Sequence, residues 1–84
     1  MTSLRDIQYQ YYDCLVNLIN PIRDRIYYNY KINKDKKLYD DENNKLTEGL
    51  NLYTSIVGYC STKHETFILF QACLTNIHNI MYRL

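Results

Sequence analysis

Residues that break regular secondary structure are scarce in this chain of 84 residues, which contains one Pro and two Gly. β-Sandwiches and β-barrels need many turns, and Gly and Pro supply the backbone angles of turns. Their scarcity disfavours such folds and favours long helices. With 46% apolar residues, the chain is also too hydrophobic to be a disordered segment. At this length we expect a single domain over residues 1–84.

Apolar residues at three- and four-residue steps predict a helix in the first part of the chain. It begins at an N-cap, Ser3, with Asp6 three positions on, and its apolar face extends to about Ile32. At Asn20-Pro21 this helix either ends, at about Ile19, and a second one starts, or a single long helix kinks. The predicted apolar face consists of Leu4, Ile7, Tyr11, Cys14, Leu15, Leu18, Ile22, Ile26 and Tyr30.

Two further helices are predicted after a charged connector at residues 33–37. One begins near Asp40 or Asp41, and the last begins at a capping box, Thr62 to Glu65. Their apolar faces are Leu46, Gly49, Leu50, Tyr53, Ile56, Val57 and Cys60, then Phe67, Phe70, Leu74, Ile77, Met81 and Leu84. We therefore predict an all-α fold: a compact bundle of three helices, or of four if Pro21 is a true break, with a homodimer as one assembly to test.

Charge is distributed unevenly, since residues 1–48 hold 16 of the 19 charged side chains. The outward side of the last helix is uncharged, and lack of charge beside retained apolar residues is typical of an interface centre. The rest of the chain, a second copy or a different protein could cover it. The predicted self-association surface is Ile68, Gln71, Ala72, Thr75, Asn79 and Tyr82. If the side that bears Gln71, Thr75 and Asn79 is exposed to solvent in a single chain, this case for association collapses.

The chain has ten Tyr and no Trp. A second stripe beside the first apolar face is the predicted partner-binding surface, because Tyr and Arg are enriched in binding hot spots. This stripe consists of Tyr9, Tyr12, Val16, Arg23 and Tyr27. The alternative is a coding effect: residues with AT-rich codons (Phe, Tyr, Met, Ile, Asn and Lys) make up 38 of the 84. Such coding is typical of poxviruses and other large DNA viruses, of many phages, and of low-GC bacteria or parasites.

No constellation in the sequence predicts catalysis, a cofactor or a metal. Cys60, His64, Cys73 and His78 superficially offer zinc ligands, but Cys73 and His78 are five residues apart on one helix and point in different directions. Glycine-rich phosphate loops and nucleophile elbows are missing. We expect a non-enzymatic protein with no catalytic residues, no cofactor and no bound metal.

Nucleic acid is the second class of partner considered. Lys31, Lys34, Lys36 and Lys37 lie near stacking tyrosines, which would suit a nucleic-acid strand. However, Asp35 interrupts the run, acidic residues follow directly, and the net charge of the whole chain is only +1. Nucleic acid is therefore disfavoured as a partner, although this lysine segment remains the alternative site.

These patterns predict a small helical protein-protein interaction module, encoded by a virus, phage or mobile element, that binds and modulates or inhibits a host or viral protein. One alternative is an accessory nucleic-acid-binding factor in viral replication or transcription, and another is a virion or scaffold component. The sequence has no basic segment followed by an apolar run at its start and no transmembrane stretch. We thus expect an intracellular protein, cytoplasmic or nuclear and in the host cell if viral, without a membrane partner.

Overall fold

The structure, a computed structural model, describes residues 2–84. Three α-helices make up most of it: α1 (Leu4–Asn33), α2 (Lys36–Ile56) and α3 (Lys63–Arg83). A short 3-10 turn, Val57–Tyr59, follows α2. Strands do not occur within these residues, so the predicted all-α class is confirmed. None of the helices in residues 2–84 combines the length and the hydropathy needed to cross a membrane.

Helix α1 begins as predicted and continues through Pro21. The Asp6 N–H donates to Ser3 Oγ at 3.1 Å, and the Ser3 N–H donates to Asp6 Oδ2 at 3.4 Å, which confirms the capping box. The predicted alternative of a helix break at Pro21 is wrong, because the helix runs unbroken to Asn33. Pro21 lacks the N–H that would reach the Asn17 carbonyl. Both residues lie on the exposed side of α1, where water can take over that hydrogen bond.

Helix α2 begins at Lys36, four to five residues before the predicted start near Asp40 or Asp41, which was wrong. Lys34 ends α1 with a left-handed backbone, φ 57°, and its N–H donates to the Tyr30 carbonyl at 2.7 Å. Asp35 then caps α2, since its Oδ1 accepts the Leu38 N–H at 3.1 Å. The connector is therefore only two residues long, because one left-handed residue and one capping carboxylate complete the reversal.

The start of α3 matches the predicted N-cap. The Glu65 N–H donates to Thr62 Oγ1 at 3.1 Å. The reciprocal half of the capping box differs from the prediction, since the Glu65 carboxylate accepts from the N–H and the hydroxyl of Ser61, both at 3.3 Å. Glu65 therefore holds the turn that precedes α3 rather than the backbone of the cap residue itself.

The core lies between all three helices and is wider than the predicted stripes. Helix α3 contacts both α1 and α2, so its buried side is rotated from the predicted one towards α2. Phe67 is 41% exposed, and Cys14 and Ile56 are also exposed, against prediction. Leu74, Met81 and Leu84 lie at the edge of the core. The buried residues of α3 are Thr66, Leu69, Phe70, Cys73, Ile77 and Ile80, which pack on Leu15, Ile19, Ile22, Ile26, Leu46 and Tyr53.

Helix α1 extends beyond the end of α3. Gln8 of α1 is level with Thr66 of α3, because their side chains are hydrogen bonded. At 1.5 Å per residue, α1 then continues for about 38 Å to Asn33, whereas α3 continues for about 26 Å to Arg83. Residues 27–43, called the tip below, therefore form a two-helix hairpin. The remainder, where α3 covers α1 and α2, is called the three-helix region.

Candidate interaction surfaces

A polar network ties the three helices together at the end of the molecule where α1 begins. Gln8 Nε2 donates to the Val57 carbonyl at 3.3 Å and to Thr66 Oγ1 at 3.4 Å. The Tyr53 hydroxyl donates to the Gln8 carbonyl at 2.6 Å. Burial, reinforced by the nearby Cys60, Cys73 and Tyr11, raises the pKa of Tyr53 to about 12. The phenol therefore stays protonated and keeps donating at neutral pH.

This network forms the floor of a cavity of about 370 Å³ between α1 and α2, called the α1–α2 groove. Tyr9 and Tyr12 form its wall on α1, and Tyr9 is 64% exposed. Arg5 contributes the one charge of the lining, and Thr54 contributes a hydroxyl. The full lining is Arg5, Gln8, Tyr9, Tyr12, Tyr53, Thr54 and Val57. The groove is thus an aromatic surface with one cation at its edge.

The structure divides the predicted tyrosine stripe into two parts. Arg23 Nη2 donates to Thr47 Oγ1 of α2 at 3.3 Å, so this arginine bridges the two helices. Tyr27 lies beyond that bridge, about 22 Å from Tyr12 along α1. Its ring is 6.4 Å from that of Tyr39, and Lys31 Nζ lies 4.8 Å from its centre. Of the predicted residues, Tyr9 and Tyr12 share the groove, whereas Tyr27 belongs to the tip, and the half-buried Val16 lies between them.

Five residues of the groove were not predicted as site residues: Arg5, Gln8, Tyr53, Thr54 and Val57. One signal was present for Gln8, since this amide lies on the core side of α1, where a buried hydrogen-bond network needs a polar group. Arg5 also lies on the side of α1 that carries Tyr9 and Tyr12, four and seven residues before them. Tyr53 was predicted only as a core residue, and its hydroxyl partner on α1 could not be found without the packing of two helices.

The outward side of α3 is exposed in the single chain. All six residues of the predicted self-association surface, Ile68, Gln71, Ala72, Thr75, Asn79 and Tyr82, are open to solvent. The alternative in which the rest of the chain covers this face is therefore wrong. Because amide and hydroxyl side chains are readily hydrated, exposure of Gln71, Thr75 and Asn79 counts against association through that flank.

A second cavity, of about 450 Å³, lies between α2 and α3 and is called the α2–α3 groove. Gly49 of α2 lies in its lining, and a Cβ at this position would make an ordinary van der Waals contact with Ile77, at 3.5 Å. Three of its lining residues are charged: Lys45, Glu48 and Arg83. The full lining is Lys45, Glu48, Gly49, Leu52, Asn76, Asn79, Ile80 and Arg83.

The lysines of the alternative nucleic-acid site lie at the tip, beside acidic groups. Lys36 Nζ forms an ion pair with Asp40 at 3.6 Å, and Lys31 lies over the Tyr27 ring. Lys34 occupies the left-handed position that ends α1. Residues 31–42 hold four lysines and four carboxylates, so a strand of phosphates would meet little uncompensated positive charge.

The cysteines and histidines lie apart from one another. Cys73 is buried in the core, where burial raises the pKa of its thiol, whereas His64 is exposed. Cys60 and His78 are partly covered, and the His78 ring lies 6.3 Å from that of Tyr82. Within residues 2–84, no three His, Cys, Asp or Glu side chains come together as metal ligands would.

Comparison of the chain with models of protein families, with curated proteins and with solved structures gave no match.

Proposed function

We propose that this protein is a non-enzymatic interaction module, a three-helix bundle that binds a segment of a protein partner in the α1–α2 groove. The partner is modulated because the bound surface is no longer accessible to other molecules. One observation carries the proposal: Tyr9 and Tyr12 form one wall of an open groove whose floor is held by partly buried hydrogen bonds.

The wall has the composition of a binding hot spot. Tyr buries a large ring area while few rotatable bonds are frozen, and its hydroxyl keeps a hydrogen-bond partner when water leaves. Tyr11, on the other side of α1, is already stacked on Phe70 at 4.4 Å. Tyr9 has no such contact with another ring in residues 2–84, and its face is free for an incoming side chain.

The floor is rigid enough to act as a preformed site. Tyr53 is 1% exposed, and its hydroxyl fixes the backbone of α1 at Gln8. The Gln8 side chain in turn fixes the end of α2 and the start of α3. Binding to such a site loses less conformational entropy than binding to a mobile surface.

The single positive charge of the α1–α2 groove favours a partner segment with an acidic side chain. Arg5 is exposed beside the aromatic wall, and the lining holds no carboxylate among the described residues. A guanidinium pairs with carboxylates in a bidentate fashion. We infer a partner segment that inserts an apolar or aromatic side chain into the groove, against Tyr9 and Tyr12, and places an Asp or Glu against Arg5. The AT-rich coding supports a virus, phage or mobile element as the source, and a host protein as the partner.

The test is capture of the partner by single-residue variants. Tyr9→Ala and Arg5→Glu should each lower the affinity for the captured protein by at least tenfold, with an unchanged helical circular dichroism spectrum. Tyr12→Ala should do the same, at some loss of stability because Tyr12 also packs on the core. Tyr28→Ala is the matched control, since Tyr28 is exposed on α1 outside the groove.

Affinity capture from a host lysate, followed by mass spectrometry, identifies the partner, and calorimetry with the purified partner gives the dissociation constants. If the Tyr9 and Arg5 variants bind with the wild-type constant, the α1–α2 groove is not the site. Tyr27→Ala distinguishes two versions of the surface. Loss of binding in this variant extends the surface past Arg23 to the tip, and full binding confines it to the groove.

A further inference from the structure

We infer that a second copy of this chain binds antiparallel along α3, on the flank that borders the α2–α3 groove. This inference goes beyond the proposed function, because it concerns the other side of α2 and none of the residues of the α1–α2 groove. The flank consists of Glu65, Ala72, Asn76 and Arg83, and all four are exposed.

These four residues lie on one side of α3. Glu65 and Arg83 are eighteen residues apart, which is five full turns at 3.6 residues per turn, so they project from the same side of the helix. Ala72 and Asn76 lie within about 20° of that direction, at 100° per residue. Of the residues predicted for self-association, Ala72 lies on this flank and Asn79 about 40° from it, whereas Gln71, Thr75 and Tyr82 point about 80–120° away. The flank therefore borders the hydrated outward face and shares only Ala72 with the predicted surface.

The order of the four residues is symmetric about Leu74. When the helix is reversed, Glu65 exchanges places with Arg83, and Ala72 exchanges places with Asn76. A two-fold axis near Leu74 would thus set each Glu65 against the Arg83 of the second copy and each Ala72 against the Asn76 of the second copy. A two-fold interface has to be self-complementary in this way.

Charge favours the antiparallel arrangement over the parallel one. Antiparallel pairing forms two Glu65–Arg83 contacts between the copies, one at each end of the interface. Parallel pairing would place Glu65 against Glu65 and Arg83 against Arg83. Between the two ends the flank itself carries no charge, and the charged residues of α2 that line the adjoining groove, Lys45 and Glu48, are opposite in sign. Antiparallel helix dipoles add a further favourable contribution.

The surroundings of the flank permit close approach and supply apolar area. Ala72 lies near the proposed two-fold axis, and Gly49 lines the adjoining α2–α3 groove. Because both side chains are small, the α3 helices of the two copies can approach each other closely. Leu52, Ile56 and Ile68 are exposed along its edges, at 36%, 39% and 53%. A helix pair of this length buries less than the roughly 1,600 Å² of a typical stable complex, so we expect a dissociation constant in the micromolar range.

The first experiment is charge reversal followed by mixing, with sedimentation velocity from 1 to 500 μM. The wild type should change from monomer to dimer across this range. Glu65→Arg and Arg83→Glu should each weaken dimerisation by at least tenfold, because each sets like charges against each other. An equimolar mixture of the two variants should form a heterodimer as readily as the wild type, since both of its contacts again join opposite charges.

Because Glu65 also holds the turn before α3, a second variant tests the same surface without altering that turn. Ala72→Arg places a long cation near the two-fold axis and should leave the protein monomeric at 500 μM. Gln71→Arg, one residue away on the outward face, is the matched control and should dimerise as the wild type does. The inference is overturned if the wild type stays monomeric at 500 μM, if Ala72→Arg dimerises normally, or if folded charge variants fail to restore dimerisation on mixing.

Discussion

The three-helix region and the tip are built from the same two helices, yet they bury their residues differently. In the three-helix region, Leu15, Leu46, Tyr53, Cys73 and Ile77 are at most 1% exposed, and three helices surround them. At the tip, only α1, α2 and their connector line the space between the helices. There Ile32 and Leu38 are 67% and 45% exposed, and Tyr30 and Tyr39 are only half-buried, with their rings 4.7 Å apart.

The difference between the two regions shows that a third helix is needed to enclose the apolar residues of α1 and α2. Two helices can cover one line of contact, but each keeps an uncovered side on which apolar residues remain in water. The tip is therefore held by its connector, through the Asp35 cap and the left-handed Lys34, and by ring contacts rather than by a closed core. The hydrogen-bonded floor of the α1–α2 groove lies in the three-helix region, so the proposed binding site is on the more rigid part.

The largest expected effect comes from deleting one buried side chain in the three-helix region. Ile77→Ala should lower the free energy of unfolding by about 2–5 kcal/mol, because it removes buried carbon atoms and leaves a cavity beside Gly49 and the surrounding core. Ile32→Ala at the tip should change it by less than about 0.5 kcal/mol, since Ile32 is 67% exposed. Urea denaturation followed by circular dichroism measures both. Equal losses in the two variants would mean that the tip is as well packed as the rest.

Helix caps could be predicted from the sequence, because a cap depends on residues that lie close together in the chain. The Ser3 and Thr62 caps were found because a capping hydroxyl and its partner lie three residues apart in the chain. Asp35 was missed as a cap because it stands within a run of lysines, and the Asp40-Asp41 pair gave a stronger signal downstream. Whether α1 ends at Pro21 was left open, since continuation depends on the exposed position of Asn17 and Pro21 and on packing on both sides.

The packing of whole helices could not be predicted from one helix at a time. The apolar stripe of α3 identified Phe70 and Ile77, but the side facing α2 also buries Leu69, Cys73 and Ile80. For the same reason, Tyr9 and Tyr12 were found as exposed residues of α1, while the groove that they line depends on Tyr53 and Thr54 of α2. The tip was not predicted, because it results from the difference in length between α1 and α3.

An intermediate effect is expected from alkaline titration of the three-helix region. Burial raises the pKa of Tyr53 to about 12, so its neutral form is favoured in the folded chain. This contribution to stability is present below pH 10 and is lost as the pH rises from about 10 to 12. The free energy of unfolding should fall by about 1 kcal/mol between pH 9 and pH 11 from this group alone.

Urea denaturation at each pH measures this decrease. Tyr53→Phe should show a smaller decrease, together with a loss of stability at pH 7 from the missing hydrogen bond to the Gln8 carbonyl. Tyr59→Phe is the control, because Tyr59 is exposed, and it should retain the wild-type pH dependence. A Tyr53→Phe variant with the full alkaline decrease would show that other groups cause it.

The smallest effect is expected at the tip, where the Glu42 carboxylate is partly buried between α1 and α2. Burial beside Tyr30, Leu38 and Tyr39 raises the pKa of Glu42, an effect that Lys45 partly offsets. A raised pKa means that the protonated form is favoured in the folded chain, so this contribution is lost as the pH rises through the titration range of the carboxyl. Glu42→Gln should therefore stabilise the protein slightly at pH 7, by no more than a few tenths of a kcal/mol because water still reaches the side chain. Asp41→Asn changes an exposed neighbouring carboxylate, so it is the matched control and should not reproduce the gain in stability. A loss of stability in Glu42→Gln would show that the charge of Glu42 stabilises the tip.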